Sequence, residues 1–140
     1  MYLYMTSLCY AYGDSTCINT GEVKLVKNIK VSTAFINTCC ALGFSVDGYN
    51  FLAHIDEITS NMYENTINEL NIIKNRFDKI DTIKIWIGEA CNIYSCGSFK
   101  IVQKILNYMK IDKNKINYFK DDNNTIIIGW YNYKIDFKFC

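Results

Sequence analysis

His54 is the only histidine in this chain of 140 residues, so any imidazole-based chemistry must use its ring. The adjacent pair Cys39 and Cys40 precedes it by fifteen and fourteen residues. A thiol is a weak nucleophile at its ordinary pKa of about 8.5, and a nearby imidazolium lowers that pKa. The same imidazole can later deliver a proton to a leaving amine. A cysteine beside His54 would therefore be equipped for covalent attack on a carbonyl carbon.

The residues between the cysteine pair and His54 indicate which of the two cysteines faces the histidine. Asp47-Gly48 separates two apolar runs, which predicts a two-residue hairpin turn because such a turn requires positive φ at both central positions. That turn places Ala41 opposite His54. Since side chains alternate along a strand, Cys39 then shares the His54 face as a diagonal neighbour, whereas Cys40 points to the other face and into the core. The register therefore predicts Cys39 as the partner, with its Sγ about 3–4 Å from a ring nitrogen.

A third group usually orients the base in such sites. Thr33 is the candidate, because its hydroxyl can accept a hydrogen bond from a ring N–H. Its even spacing from Cys39 would also place the two on one side of a straight strand. Asp56, two residues beyond His54, faces the same side as the ring and is the competing orienting residue.

Each of these residues also has a purely structural interpretation. A lone histidine at a strand end commonly makes only structural hydrogen bonds, Cys39 could be a small core residue, and Thr33 suits any strand. The seven cysteines include no CxxC pair, so we expect neither a metal nor a cofactor. Their odd number and the lack of an export signal argue against a disulfide framework and for a cytoplasmic protein.

The surrounding pattern predicts the elements that position these residues. Alternation predicts strands at 22–27, 82–87 and 131–139, and apolar runs predict strands at 31–36 and 125–130, besides the hairpin. Three- and four-residue apolar spacing predicts helices at 60–77, capped by Thr59 or Ser60, and at 98–109, capped by Ser98. The stretch 110–120 is predicted to be a solvated loop. We therefore expect a single α+β domain over 1–140, with a mostly antiparallel sheet or sandwich core and two helices packed on it.

Composition limits the function classes. The chain is 50% hydrophobic, 15% aromatic and 21% charged, which is typical of a globular domain, and no run approaches the roughly 20 apolar residues of a membrane span. A net charge of +1 gives no argument for nucleic acid or an anionic membrane as partner. Lysine outnumbers arginine fourteen to one, and the chain is rich in Ile, Asn, Lys, Tyr and Phe, whose codons are AT-rich, which points to a low-GC bacterium or a large DNA virus.

The same residues carry a family resemblance. The run TAFINTCC followed by LAHID resembles the core motif of the chemoreceptor glutamine deamidase family CheD, in which a threonine lies six residues before the nucleophilic cysteine and an Ala-His-Ile block follows. It is also similar to the protein N-terminal asparagine amidohydrolases, through Thr38-Cys39 and the block Leu52 to Asp56. The cytotoxic necrotising factor catalytic domain belongs to the same structural group. Two features depart from the CheD pattern. Asn37-Thr38 replaces the Gly-Ser that precedes the nucleophilic cysteine in CheD, and the spacing from Cys39 to His54 is slightly shorter than the corresponding spacing in that family.

This resemblance implies a CheD-like fold and a cysteine-dependent protein amidohydrolase. Cys39 would attack a side-chain carboxamide of a protein substrate, of Gln in preference to Asn, and form a thioester. His54 would serve as acid and base, Thr33 would orient it, and backbone N–H groups near Thr38 and Cys39 would hold the oxyanion. The substrate would be a host protein if the source is a virus or pathogen. Two alternatives remain open: a non-catalytic protein-binding module on the same fold, and another Cys/His enzyme such as a protease or acyltransferase.

Overall fold

The computed structural model describes residues 16–34, 36–120, 125–129 and 135–139. Its strands are β1 (Thr16–Cys17), β2 (Val23–Lys27), β3 (Val31–Ala34), β4 (Cys40–Val46), β5 (Tyr49–Ile55), β6 (Ile83–Ile87), β7 (Ile116–Lys120), β8 (Thr125–Gly129) and β9 (Ile135–Phe139). The α-helices are α1 (Met62–Asn71) and α2 (Gly97–Met109), and short 3₁₀ helices span Lys74–Lys79 and Lys113–Lys115. The predicted α+β class is confirmed at this level. No helix in the described ranges has the length and apolar character needed to cross a membrane.

Two sheets and a helical layer form the architecture. One sheet has the strand order β2-β5-β4-β6-β7, and the other has the order β1-β3-β8-β9. All strand pairs are antiparallel except β1 with β3 and β6 with β7. One apolar cluster fills the space between the five-stranded sheet and the helices, and a second lies between the two sheets. The central hairpin β4–β5 is therefore buried on both faces, and successive residues along it enter different clusters.

The hairpin adopts the predicted register. Asp47 and Gly48 form its turn with φ of 49° and 81°, as a two-residue turn of this type requires. Ala41 pairs with His54, and the pairing continues along both strands to the turn. His54 therefore lies at the open end of the hairpin, far from the turn.

The strand at 82–87 is confirmed as β6, whereas the predicted loop at 110–120 is wrong in its second half. Ile83, Ile85 and Ile87 enter the helix-side cluster, as their alternation predicts. Residues 116–120 form β7, which pairs in parallel with β6 at the edge of the sheet. This edge strand is largely exposed, so its side chains carry no apolar alternation that could reveal it.

The helices differ from prediction at their ends. Helix α1 stops at Asn71, and a 3₁₀ segment continues the chain, which keeps Ile73 and Phe77 buried although the α-helix has ended. Neither predicted cap residue of α1 is used, because Asn61 occupies the N-cap position without a side-chain bond. Ser98 does not cap α2 either: Cys96 is the N-cap, and Ser98 lies within the first turn.

Two further expectations concern the remaining segments. Strand β8 confirms the prediction for 125–129, and β9 confirms the part of the last strand from Ile135 onward, whereas Tyr131 and Tyr133 lie outside the described residues. The argument against a disulfide framework is wrong. Cys91 and Cys96 form a disulfide, and Cys17 is disulfide-bonded as well. Cys39 and Cys40 are the free cysteines of the described part of the chain.

Candidate active site

Cys39 lies in the short loop of residues 36–39, immediately before β4. Its side chain is 6% exposed and belongs to the apolar cluster between the two sheets, with Ala41 and Leu52. Cys40 is fully buried in the other cluster, beneath the helices. The predicted separation of the two neighbouring cysteines onto opposite faces is thus observed, with Cys39 on the same side of the sheet as His54.

Backbone hydrogen bonds from the segment before β2 fix His54 in β5. The Gly21 N–H donates to His54 O at 2.8 Å, and the His54 N–H donates to Glu22 O at 3.0 Å. These bonds continue the β2–β5 ladder past the end of β2 and leave the His54 side chain 2% exposed. A histidine held in this way has little freedom to reorient, so the partners of its ring determine its chemistry.

The Thr33 hydroxyl determines which ring nitrogen carries the proton. Thr33 Oγ1 lies 2.7 Å from His54 Nδ1 and 2.9 Å from Ile18 O. A carbonyl oxygen can only accept, so the Thr33 hydroxyl donates its single proton to Ile18 O. It must then accept from the ring, which places the ring hydrogen on Nδ1 and leaves the lone pair on Nε2. Thr33 itself is fully buried, so water cannot replace this arrangement.

Thr33 reaches His54 by a route that differs from the straight strand assumed from sequence. Strand β3 ends at Ala34 in the four-stranded sheet, and the chain crosses to the five-stranded sheet before β4 begins. The Thr33–His54 bond therefore joins the two sheets. Asp56, the competing orienting residue, instead accepts a hydrogen bond from the Thr59 N–H at 3.0 Å. The structure therefore places Thr33, not Asp56, on the ring.

The free nitrogen of His54 faces a residue that sequence reasoning missed. Thr20 Oγ1 lies 3.5 Å from Nε2, at the outer limit of a hydrogen bond. Within the described residues, Cys39 is not among the hydrogen-bond partners of the ring. A direct approach of Cys39 Sγ to Nε2 within 3–4 Å therefore remains a prediction. Thr20 is exposed.

Burial keeps both candidate groups neutral. The pKa of Cys39 is raised to about 11, chiefly by desolvation; a side-chain hydrogen bond with Thr38 opposes this rise, and the charge of Asp56 adds to it. Desolvation lowers the pKa of His54 to about 4, against the opposing influence of Asp56 and Glu22. The lowered thiol pKa expected from an imidazolium neighbour is therefore wrong. The ring is neutral near pH 7 and can act as a base.

The segment that follows β6 holds the 36–39 loop in place. The Gly88 N–H donates to Cys39 O and the Ala90 N–H donates to Asn37 O, each at 2.8 Å. The Ser98 hydroxyl donates to Thr38 O at 3.2 Å. A Cβ atom at Gly88 would overlap the backbone of the loop, so only glycine permits this approach. The Gly-x-Ala sequence at residues 88–90 was the signal that could have indicated this contact with the 36–39 loop. Nothing in the sequence pattern indicated that Ser98 would bond the loop.

The arrangement supplies a nucleophile and an oriented base. The Cys39 N–H, one of the groups expected to hold an oxyanion, makes a long bond of 3.4 Å to Ile36 O and could exchange this acceptor for a better one. No group of three or more His, Cys, Asp or Glu side chains in the described ranges is arranged to hold a metal ion. A surface cavity of about 640 Å³ beside Asp47 and Gly48 lies at the opposite end of the hairpin from His54.

Comparison with known proteins assigns no relative. No protein-family model matches the chain, and no curated protein is significantly similar to it. The function must therefore be inferred from the geometry of the site and from the motif resemblance.

Proposed function

We propose that this protein is a cysteine-dependent amidohydrolase that deamidates side-chain carboxamides, of Gln in preference to Asn, in a protein substrate. The resemblance of residues 31–56 to CheD and to the N-terminal asparagine amidohydrolases motivates the choice of reaction. The observation that carries the proposal is the Thr33–His54 hydrogen bond of 2.7 Å, with the Thr33 proton committed to Ile18 O. A ring held in one tautomer by a buried hydroxyl is suited to act as a base at Nε2.

The reaction begins from a neutral thiol and a neutral imidazole. As Cys39 Sγ attacks the carboxamide carbon, its proton passes to His54 Nε2, and the carbonyl oxygen becomes an oxyanion held by backbone N–H groups of the 36–39 loop. Collapse of this intermediate breaks the C–N bond, and His54 returns the proton to the departing ammonia. The products of this half-reaction are ammonia and a thioester on Cys39.

Hydrolysis of the thioester completes the cycle. His54 Nε2 removes a proton from water, and the resulting oxygen nucleophile attacks the thioester carbon. The C–S bond then breaks, and Cys39 recovers its proton from His54. The net change replaces the side-chain amide with a carboxylate and consumes one water. Throughout, Thr33 keeps the Nδ1 hydrogen in place and stabilises the imidazolium when it forms.

The test is ammonia release from a peptide library in which each member carries a single Gln or Asn within varied flanking residues. The wild-type protein should release ammonia in step with conversion of the amide to a carboxylate, measured by mass spectrometry. Cys39→Ser and His54→Gln should abolish release. Cys40→Ser is the matched control, because its thiol is the neighbouring one but lies on the other face of the sheet. Added hydroxylamine should intercept the thioester as a hydroxamate.

The other functions predict different products. A protease would generate new peptide termini, an acyltransferase would require an added amine or alcohol, and a binding module would give neither ammonia nor cleavage. One observation favours the binding module: Cys39 and His54 are only 6% and 2% exposed, so a substrate needs an opening near the 36–39 loop. Absence of ammonia, together with retained binding of a protein by the Cys39→Ser variant, would select that function and refute deamidation.

A further inference from the structure

Three cysteines meet on the helix side of the sheet, apart from the candidate active site. Cys91 and Cys96 form a disulfide that closes the turn between β6 and α2. The free thiol Cys40 lies with its Sγ 3.8 Å from Cys91 Sγ. Cys40 and Cys91 are both buried, whereas Cys96 is partly exposed. A free thiol in contact with one sulfur of a disulfide is the starting geometry for thiol–disulfide exchange.

The same disulfide lies against the loop that carries Cys39. Cys96 Sγ is 3.7 Å from Thr38 O, and the Ser98 hydroxyl donates to that oxygen from the next turn of chain. The sulfur of a disulfide carries no hydrogen, so the contact of Cys96 with Thr38 O gains a donor only when Cys96 is a free thiol. The bonding state of Cys96 thus changes what holds the 36–39 loop.

We propose that Cys40, Cys91 and Cys96 form a thiol–disulfide exchange site. During local opening of the buried site, Cys40 loses its proton to hydroxide from solution, and its sulfur attacks Cys91 Sγ. The Cys40–Cys91 bond forms while the Cys91–Cys96 bond breaks, and Cys96 leaves with the electron pair and takes a proton from water. One disulfide replaces another, so the step needs no external oxidant or reductant. The partial exposure of Cys96 favours its departure, because water stabilises the leaving thiolate.

The surroundings of Cys40 make the exchange slow at neutral pH. The pKa of Cys40 is raised to about 12, chiefly by desolvation and also by the neighbouring Cys39, while a hydrogen bond from Gly88 and the charge of Lys120 oppose the rise. The Lys120 ammonium also donates to Cys91 O at 3.0 Å, which keeps its charge beside the site. Because the thiolate is the attacking species, the rate should rise about tenfold per pH unit below the pKa of Cys40.

Exchange would couple to the candidate active site. It would tie Cys40, the residue next to Cys39, covalently to the turn that follows Gly88, and it would give the Cys96 thiol a proton to donate to Thr38 O. The position of Cys39 and of the loop N–H groups would then differ between the two disulfide states. This consequence rests on the proposed function, whereas the exchange itself does not.

Disulfide mapping tests the exchange without any activity assay. The wild-type protein is incubated at pH 7 and pH 9 without added thiol or oxidant, quenched with acid, labelled with N-ethylmaleimide and digested unreduced for mass spectrometry. We expect a Cys40–Cys91 linked peptide and labelled Cys96 to accumulate about a hundredfold faster at pH 9 than at pH 7. Cys40→Ala should abolish Cys96 labelling, and Cys39→Ala should preserve it.

The outcomes separate the exchange from its consequence. Absence of the Cys40–Cys91 peptide from wild-type protein that circular dichroism shows to be folded at pH 9 would overturn the proposal, and so would equal Cys96 labelling in Cys40→Ala. The linked peptide can be sought in the wild type alone, so an unfolded variant does not block the test. Exchange with an unchanged rate of ammonia release would refute the coupling only. Exchange without ammonia release in either state would refute the proposed function.

Discussion

Replacement of Thr33 by Val tests the central geometric argument, because it removes the hydroxyl and changes the volume of the side chain very little. The native hydroxyl accepts from His54 Nδ1 at 2.7 Å and donates to Ile18 O at 2.9 Å. Both bonds disappear in the variant, and a methyl group then faces the ring. We expect the imidazole to move its hydrogen to Nε2, since Nδ1 no longer has an acceptor.

The expected loss of stability in Thr33→Val follows from the two groups that lose their hydrogen-bond partners. An unsatisfied buried donor or acceptor costs about 1–3 kcal/mol, so Ile18 O and the ring N–H together set an upper bound of roughly 6 kcal/mol. The change of tautomer relieves the ring, which leaves a loss of unfolding free energy of about 1–3 kcal/mol. The variant should therefore stay folded. Protonation of Nε2 removes the base, and we expect ammonia release to fall ten- to a hundredfold, or about 1.4–2.8 kcal/mol in the barrier.

The single histidine makes the ring state directly observable. Protein grown with isotope-labelled histidine and freed of any affinity tag contains one labelled imidazole. Nitrogen chemical shifts should show Nδ1 protonated in the wild type and Nε2 protonated in Thr33→Val. Thr33→Ser retains the hydroxyl and serves as the matched control, with the wild-type tautomer and most of the activity. Asp56→Asn should cost less activity than Thr33→Val, because Asp56 bonds the Thr59 backbone and not the ring.

Two results would refute this reasoning. A wild-type ring protonated at Nε2 would show that Thr33 does not set the tautomer, whatever its effect on activity. Greater loss of ammonia release in Asp56→Asn than in Thr33→Val would transfer the orienting role to the carboxylate and leave Thr33 as an ordinary strand residue.

Three further predictions follow from burial and close packing. The pKa of His54 is lowered on folding, so the unfolded chain binds a proton there between pH 6.5 and about 4 and the folded chain does not. The free energy of unfolding, measured in urea, should therefore fall by about 3 kcal/mol between pH 6.5 and pH 4. This fall should be smaller in His54→Gln. Cys39 should react slowly with iodoacetamide at pH 7 and faster by about tenfold per pH unit, because burial raises its pKa to about 11; rapid labelling at pH 7 would contradict a neutral thiol. Gly88→Ala should lower the free energy of unfolding in urea by about 1–3 kcal/mol or more, because the added Cβ would overlap the backbone oxygens of Ile36 and Asn37; an unchanged free energy of unfolding would contradict this close approach.

Local chemistry made the central hairpin predictable. Asp47 and Gly48 permit the positive φ values of the turn, and once the turn is placed, the two-residue period fixes every pair as far as Ala41 and His54. The separation of Cys39 from Cys40 onto opposite faces follows from the same period. These features depend on residues close in sequence, and for that reason the pattern alone reveals them.

Features that depend on distant contacts were not predictable. Strand β7 forms because the edge of β6 offers unpaired backbone groups, which its own side chains do not signal. The contact of Thr33 with His54 was expected from a straight strand, yet it arises because β3 lies in the four-stranded sheet and His54 in the five-stranded one, so that the bond joins the two sheets. Thr20 at the ring, Ser98 at the 36–39 loop and the Cys91–Cys96 disulfide beside that loop come from segments whose approach only the folded chain defines.

Burial explains why the charge state of the site differs from the one expected. An imidazolium beside a cysteine would favour the thiolate, but the site is closed between two sheets, and desolvation penalises both charged forms. Asp56 favours a charged ring and opposes a charged sulfur, so it cannot stabilise both members of an ion pair. The thiol and the imidazole therefore remain neutral, and proton transfer must accompany attack. That requirement makes the position of the hydrogen on the ring decisive, because only a ring protonated at Nδ1 has Nε2 free to receive the proton of Cys39.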